Sequence, residues 1–207
     1  MSKKVVFYID GLNLYNGLKD ANLRKYYWLN LYKLAKKLCF PNEKLFNVKY
    51  FTSIVSSRFD ADKHYRQTTY ISALRTLPKE FKIILGRHQK GNTTCNRCGH
   101  TSTIFKEKKT DVNIASQIFE DSYLKKCEVI KLISGDSDLI PICKTILKLF
   151  PDIKIIILFP PKRHTTEMEK HCTSSRIIFP GIIKSCQFPE IVIDKKGNEI
   201  IKPTYWN

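Results

Sequence analysis

The run Val5-Val6-Phe7-Tyr8-Ile9 limits the fold more than any other part of the chain. A strand with one wet face carries a polar residue at every second position; this run carries none, so it must be covered on both faces. Lys49–Val55, Phe81–Leu85, Glu128–Ile133 and, most apolar of all, Ile153–Phe159 read as strands of the same kind. Between them the spacing is helical. Leu31, Leu34, Ala35, Leu38 and Cys39 fall at i, i+3, i+4, i+7 and i+8, as do Leu139, Ile142, Cys143, Ile146 and Leu147, with Phe150 one step further. Asp111–Tyr123 and the weaker Asp60–Leu77, stopped by Pro78, complete the helices. Parallel neighbours need crossover connections, so this alternation predicts an α/β fold of three layers around a mostly parallel central sheet of about five strands. After Pro180 the alternation fades. Glu190–Ile193 and Glu199–Lys202, around Lys195-Lys196-Gly197-Asn198, predict a hairpin within a C-terminal extension, 187–207. No repeat or linker divides the chain, and 1–207 reads as one domain.

At 207 residues the chain can bury a core without disulfide staples. Seven cysteines, five of them (Cys39, Cys127, Cys143, Cys172 and Cys186) without framework spacing, suit reduced thiols. No apolar stretch approaches the ~18 residues of a membrane helix. Asp10 cuts the first run too short for a secretory signal, so a cytoplasmic protein is expected. The charge is +17, from 36 Lys and Arg against 19 Asp and Glu. It is uneven: 22 basic and 7 acidic residues lie in 1–110, against 14 and 12 in 111–207. Such asymmetry points to a polyanionic partner.

Ligands of open α/β sheets bind outside the carboxyl ends of the strands. Acids stand there in this sequence. The first strand stops at Asp10 in Asp10-Gly11-Leu12-Asn13, the fourth at Ser134-Gly135-Asp136-Ser137-Asp138, and Asp111 opens the helix that precedes it. One such Asp is ordinarily a turn or cap residue. Several converging carboxylates repel one another unless a cation lies between them, and hard oxygen ligands suit Mg²⁺ or Mn²⁺. In a basic protein that combination points to phosphodiester chemistry, with lysines holding the strand. Asn13, one turn beyond Asp10, is either a first-turn residue or one that orients a water or a carboxylate.

Phe7-Tyr8-Ile9-Asp10-Gly11-Leu12-Asn13-Leu14-Tyr15, Glu107-Lys108-Lys109-Thr110-Asp111-Val112 and Ile133-Ser134-Gly135-Asp136-Ser137-Asp138-Leu139 together resemble the NYN domain family, within the PIN-like nucleases. The resemblance covers roughly residues 3–180. The tail, with Gln187-Phe188-Pro189 and Pro203-Thr204-Tyr205-Trp206, is similar to the bacterial LabA-like group. The family resemblance implies a PIN-like Rossmannoid fold and metal-dependent cleavage of RNA, with Asp10, Asp111, Asp136 and Asp138 as ligands of Mg²⁺ or Mn²⁺; these four, joined by Asn13 from the reading of the residues, make up the expected catalytic set. Many relatives have no demonstrated activity, so a non-catalytic RNA-binding or assembly module on the same fold stays open. A homodimer is compatible with either reading.

Three further features carry chemistry. His88, Cys95, Cys98 and His100 offer zinc-ligand types at tight spacing in a Gly- and Thr-rich stretch, 88–100. They either complete a tetrahedron within one loop, or the cysteine pair binds metal with residues from elsewhere, or it is simply two reduced thiols. Arg24-Lys25-Tyr26-Tyr27-Trp28 interleaves cations with rings on which unpaired bases stack, although Tyr27 or Trp28 also suits the core. Lys108, Lys109, Lys162 and Arg163 lie at the expected edge of the sheet and suit phosphate contacts. The Gly-Asp-Ser of Gly135–Ser137 imitates a serine esterase motif, but no late Asp-x-x-His supplies its base, and neither nucleotide-binding glycine motif occurs.

Overall fold

A computed structural model of the chain describes residues 2–94 and 97–206, with the backbone alone at 88–93 and 102–107. In chain order the elements are β1 (Lys3–Asp10), α1 (Gly11–Asp20), α2 (Leu31–Lys37), β2 (Glu43–Thr52), α3 (Ala61–Leu74), β3 (Phe81–Leu85), β4 (Arg87–Thr94) and β5 (Thr101–Lys108). There follow α4 (Thr110–Tyr123), β6 (Val129–Ile133), α5 (Ile140–Leu149), β7 (Lys154–Phe159), α6 (Thr166–Glu169), β8 (Ser174–Ile177), α7 (Pro180–Ser185), β9 (Ile191–Ile193) and β10 (Glu199–Ile201).

Six strands form the central sheet in the order β3-β2-β1-β6-β7-β8, and all five pairings are parallel. The chain winds outward from β1 to β3, then returns to β6 at the other side of β1 and winds outward again. Right-handed crossovers place helices on opposite faces when the direction of winding reverses. Accordingly α1, α2 and α3 pack with α7 on one face, while α4, α5 and α6 cover the other. The first strand sits between them, with Val5 through Ile9 at most 1% exposed. The continuous apolar pattern of β1 is therefore the pattern of the pivot strand, as the sequence predicts.

Three departures from expectation have physical causes. The strand expected at Lys49–Val55 is β2, Glu43–Thr52, whose first half alternates partly covered and exposed residues and so lacks an apolar run. The sheet has a sixth strand, β8, whose Ser174-Ser175-Arg176-Ile177 is only partly covered at the edge and so carries no apolar run. The Gly- and Thr-rich stretch is not an irregular loop: β4 and β5 pair as an antiparallel hairpin standing between β3 and α4. The C-terminal hairpin forms as expected from β9 and β10, turning at Gly197, whose φ of +87° only glycine adopts freely.

Each face of the sheet also buries a lysine that a pattern of solvated charges would place outside. Lys131 of β6, fully covered, donates from Nζ to the Glu43 carboxylate at 2.5 Å and to the Leu38 carbonyl at 2.6 Å. Burial pulls its pKa down, and the bond to Glu43 opposes that shift. On the opposite face Lys49 of β2 meets Asp121 and Gln117 of α4, and the Tyr8 hydroxyl donates to the same Asp121 carboxylate at 2.6 Å. These bonds fix the helix that carries Asp111 against the strand that carries Asp10.

Removing one member of a buried ion pair strands the other charge. Glu43→Gln is expected to cost about 3 kcal/mol or more in urea unfolding, and adding Lys131→Met to recover most of that loss. A single variant as stable as wild type would contradict the pairing.

Candidate metal centre at the strand ends

The winding reverses between β1 and β6, and open α/β sheets bind their ligands outside the carboxyl ends of the strands at such a reversal. Asp10 closes β1 and caps α1, with the Asn13 backbone N–H donating to its Oδ1 at 3.0 Å. The Ser134 hydroxyl, just past β6, donates to Asp10 Oδ2 at 2.9 Å and accepts from the Asp136 N–H at 3.1 Å. The Asn13 side-chain carbonyl accepts the Gly135 N–H at 2.9 Å. The two loops are thus tied together by the polar groups beside the acids. Glycine is required at 135 because a Cβ there would lie 1.9 Å from the Arg163 carbonyl oxygen, so the Pro160–Arg163 loop can close on the site.

Asp111, second residue of α4, reaches the same place after Lys109 turns the chain through a left-handed φ of 74°. One carboxylate oxygen each from Asp10, Asp111 and Asp136 lies within 4.8 Å of the others. Donor oxygens around an octahedral Mg²⁺ are about 3 Å apart when adjacent and about 4.2 Å when opposed, so three hard anionic donors within this spacing can draw together on one small divalent cation. Asp10 is 3% exposed, and burial pushes its carboxyl up to about 6. The two hydrogen bonds oppose the rise, and Asp111 and Asp136 add to it.

Asp138 stands outside this group. After Asp136 the chain enters a 3₁₀ turn, Ser137–Leu139, instead of continuing as strand, which leaves Asp138 exposed with its N–H bonded to Asp136 Oδ1. Asn13 acts as a tie between loops. Ser134 belongs to the site and was legible only as part of a motif, since its residue type alone predicts no role.

The basic candidates divide. Lys108 and Lys109 are exposed where α4 begins, and Lys162 adopts a left-handed φ of 60° in the loop over Gly135. Arg163 is already engaged, its Nη2 donating to Asp20 at 2.5 Å. Trp28 and Tyr27 are core residues at 1% and 8% exposure, while Arg24 lies over the Tyr205 ring and Lys25 over Tyr26. Of the zinc candidates, Cys98 and His100 are exposed in the hairpin turn, and Cys95 lies outside the described residues. His88 pairs with Glu107 near the base of the hairpin, six residues and so about 20 Å from the Thr94–Thr101 rung. The hairpin therefore holds His88 apart from Cys98 and His100, because two paired strands separate them.

No protein-family model matches the chain. It is 25% identical to 6-hydroxy-3-succinoylpyridine 3-monooxygenase HspA of Pseudomonas putida (strain DSM 28022 / S16), over 96% of this chain and 74% of that protein. Among solved structures it is similar to a protein of unknown function from Vibrio parahaemolyticus RIMD 2210633, with a TM-score of 0.55 and 18% identity, covering 86% of this chain and 94% of that one. That likeness shows the fold. No helix among the described residues is long and apolar enough to cross a membrane.

A carboxyl whose pKa is raised by folding stabilises the protein when protonated, below about pH 4, and that contribution is lost as pH rises through about 6. Asp10→Asn is therefore expected to match wild type near pH 4 and to be more stable by about 1–3 kcal/mol at pH 8 in chelator. Adding Mn²⁺ should then raise the melting temperature of wild type and leave the variant where it was. A variant less stable than wild type at pH 8 would contradict the buried charge.

Proposed function

We propose that the protein is a divalent-metal-dependent ribonuclease, as its resemblance to the NYN family implies. The observation that carries this reading is the meeting of Asp10, Asp111 and Asp136 at the reversal of the sheet, within a chain of charge +17. These three would hold Mg²⁺ or Mn²⁺, which when bound acidifies a water and stabilises charge on a phosphate. Ser134 and Asn13 hold the carboxylates and loops in place. Lys108, Lys109 and Lys162 attract the phosphates that flank the cleaved bond. The β4–β5 arm adds to this field: Arg87 through Lys109 contains six basic residues and one acid.

The name of the Pseudomonas relative concerns oxygenation of a substituted pyridine. The cleavage reading rests on the carboxylates rather than on that likeness.

The test is a cleavage assay on single-stranded and structured RNA with Mg²⁺, Mn²⁺ or chelator. Wild type should cleave only with metal. Asp10→Asn and Asp136→Asn should lose at least about a hundredfold in rate, equivalent to about 2.7 kcal/mol of transition-state stabilisation, and still bind RNA in a salt-sensitive manner. Asp138→Asn should lose far less. RNA binding without cleavage under any metal would leave a non-catalytic module, and equal cleavage by all variants would place the chemistry elsewhere.

A further inference from the structure

A depression of about 320 Å³ opens at the carboxyl ends of β1 and β2, beginning at Gly11, the residue after Asp10. Its size stands at the lower limit for small-molecule sites, room for one ring system with its substituents rather than a stacked run. Its walls are aromatic. Tyr15 and Tyr27 have ring centroids 4.9 Å apart, and Tyr50, Tyr70 and Trp206 continue the lining. Gly11 makes the wall: a Cβ there would meet the Tyr50 hydroxyl at 2.8 Å and the Phe51 carbonyl at 2.6 Å. Gln67 fixes the rim, donating to the Ser53 carbonyl at 2.6 Å and accepting from the Val55 N–H at 2.8 Å.

The mouth is cationic. Arg66 and Lys63 of α3 line it, and no described residue of the lining is acidic. Arg66 also lies over the Tyr205 ring, 4.4 Å from its centroid, and the Arg24 guanidinium is 4.7 Å from the same centroid. Flat π-faces with cations at the opening complement a planar ring that bears an anion.

We propose that this depression is a nucleotide subsite of the acidic centre. One base of the strand enters between the aromatic walls, and the phosphate of that nucleotide lies against Arg66 and Lys63. The chain then crosses the edge of the sheet at Gly11 toward Asp10. Cleavage accordingly falls at a fixed distance from the bound base. The ligand class rests on the ribonuclease reading; the shape and charge of the pocket do not.

The test is titration of the full chain with uridine and adenosine monophosphates in chelator, followed by tryptophan fluorescence, since Trp206 lines the pocket, and by calorimetry. Wild type should bind at least one of them saturably, and Arg66→Gln and Tyr15→Ala should each raise Kd about tenfold, the loss of one good stacking or charge contact. Tyr205→Ala, at a ring 55% exposed, gives a variant with little risk to folding and should weaken binding in the same direction. No binding by wild type at millimolar nucleotide, or wild-type affinity in all three variants, overturns the subsite. Nucleotide binding in a protein that cleaves no RNA with any metal supports the pocket and contradicts the ribonuclease reading; cleavage without nucleotide binding does the reverse.

Discussion

Covering β1 on both faces is the constraint from which the rest of the structure follows. A strand buried on both faces needs neighbours on both sides and helices above and below, and the chain provides them by winding outward twice from the same pivot. The reversal falls beside that strand, and the first residue past the apolar run is Asp10. Its charge is thereby placed where water is scarce, which pushes its carboxyl up and makes the neighbouring Asp111 and Asp136 unfavourable company. A proton on Asp10 relieves part of that repulsion, and a bound cation would relieve all three groups together. The strain of the site is therefore a consequence of the fold's central element and not a local accident.

The buried lysines show how the fold holds this arrangement. Lys49, Tyr8 and Asp121 bind α4 to β2 and β1, with Tyr8 two residues before Asp10 on the same face of the strand. Asp111 lies on that same helix, so a clamp inside the protein sets the distance between two acids at its edge. Lys131 and Glu43 do comparable work on the opposite face, near the amino ends of the strands. Removing a partner from either network would leave a charge without water or counterion, a heavier loss than any exposed ion pair could cause.

The legible parts of the sequence were those in which burial leaves a periodic trace. The apolar runs of β1, β3, β6 and β7 mark their positions closely; Asp10 and Asp136 stand out as acids just past such runs, and Asp111 as the acid that opens the helix before β6. β8 was invisible because an edge strand of Ser174-Ser175-Arg176-Ile177 needs no apolar run. The β4–β5 hairpin, Arg87–Thr94 with Thr101–Lys108, is written largely in Gly, Asn, Thr, Ser and charged residues and so resembles a loop in composition. Asp138 enters the candidate set only through the family resemblance, and the 3₁₀ turn Ser137–Leu139 leaves it exposed outside the group. The pairings of Lys49 with Asp121 and of Lys131 with Glu43 leave no local trace, because the partners are more than seventy residues apart in sequence. The aromatic depression draws on residues from Gly11 to Trp206 and leaves no local signature.

The account stands on one ion held by three carboxylates. Crystals of the full chain soaked in Mn²⁺, with diffraction recorded for its anomalous signal, test this directly. The account predicts a peak in bonding contact with Asp10, Asp111 and Asp136, absent from crystals of Asp10→Asn. Fully soaked wild-type crystals with no peak at these carboxylates, or with an ion bound there just as well in the variant, would contradict it.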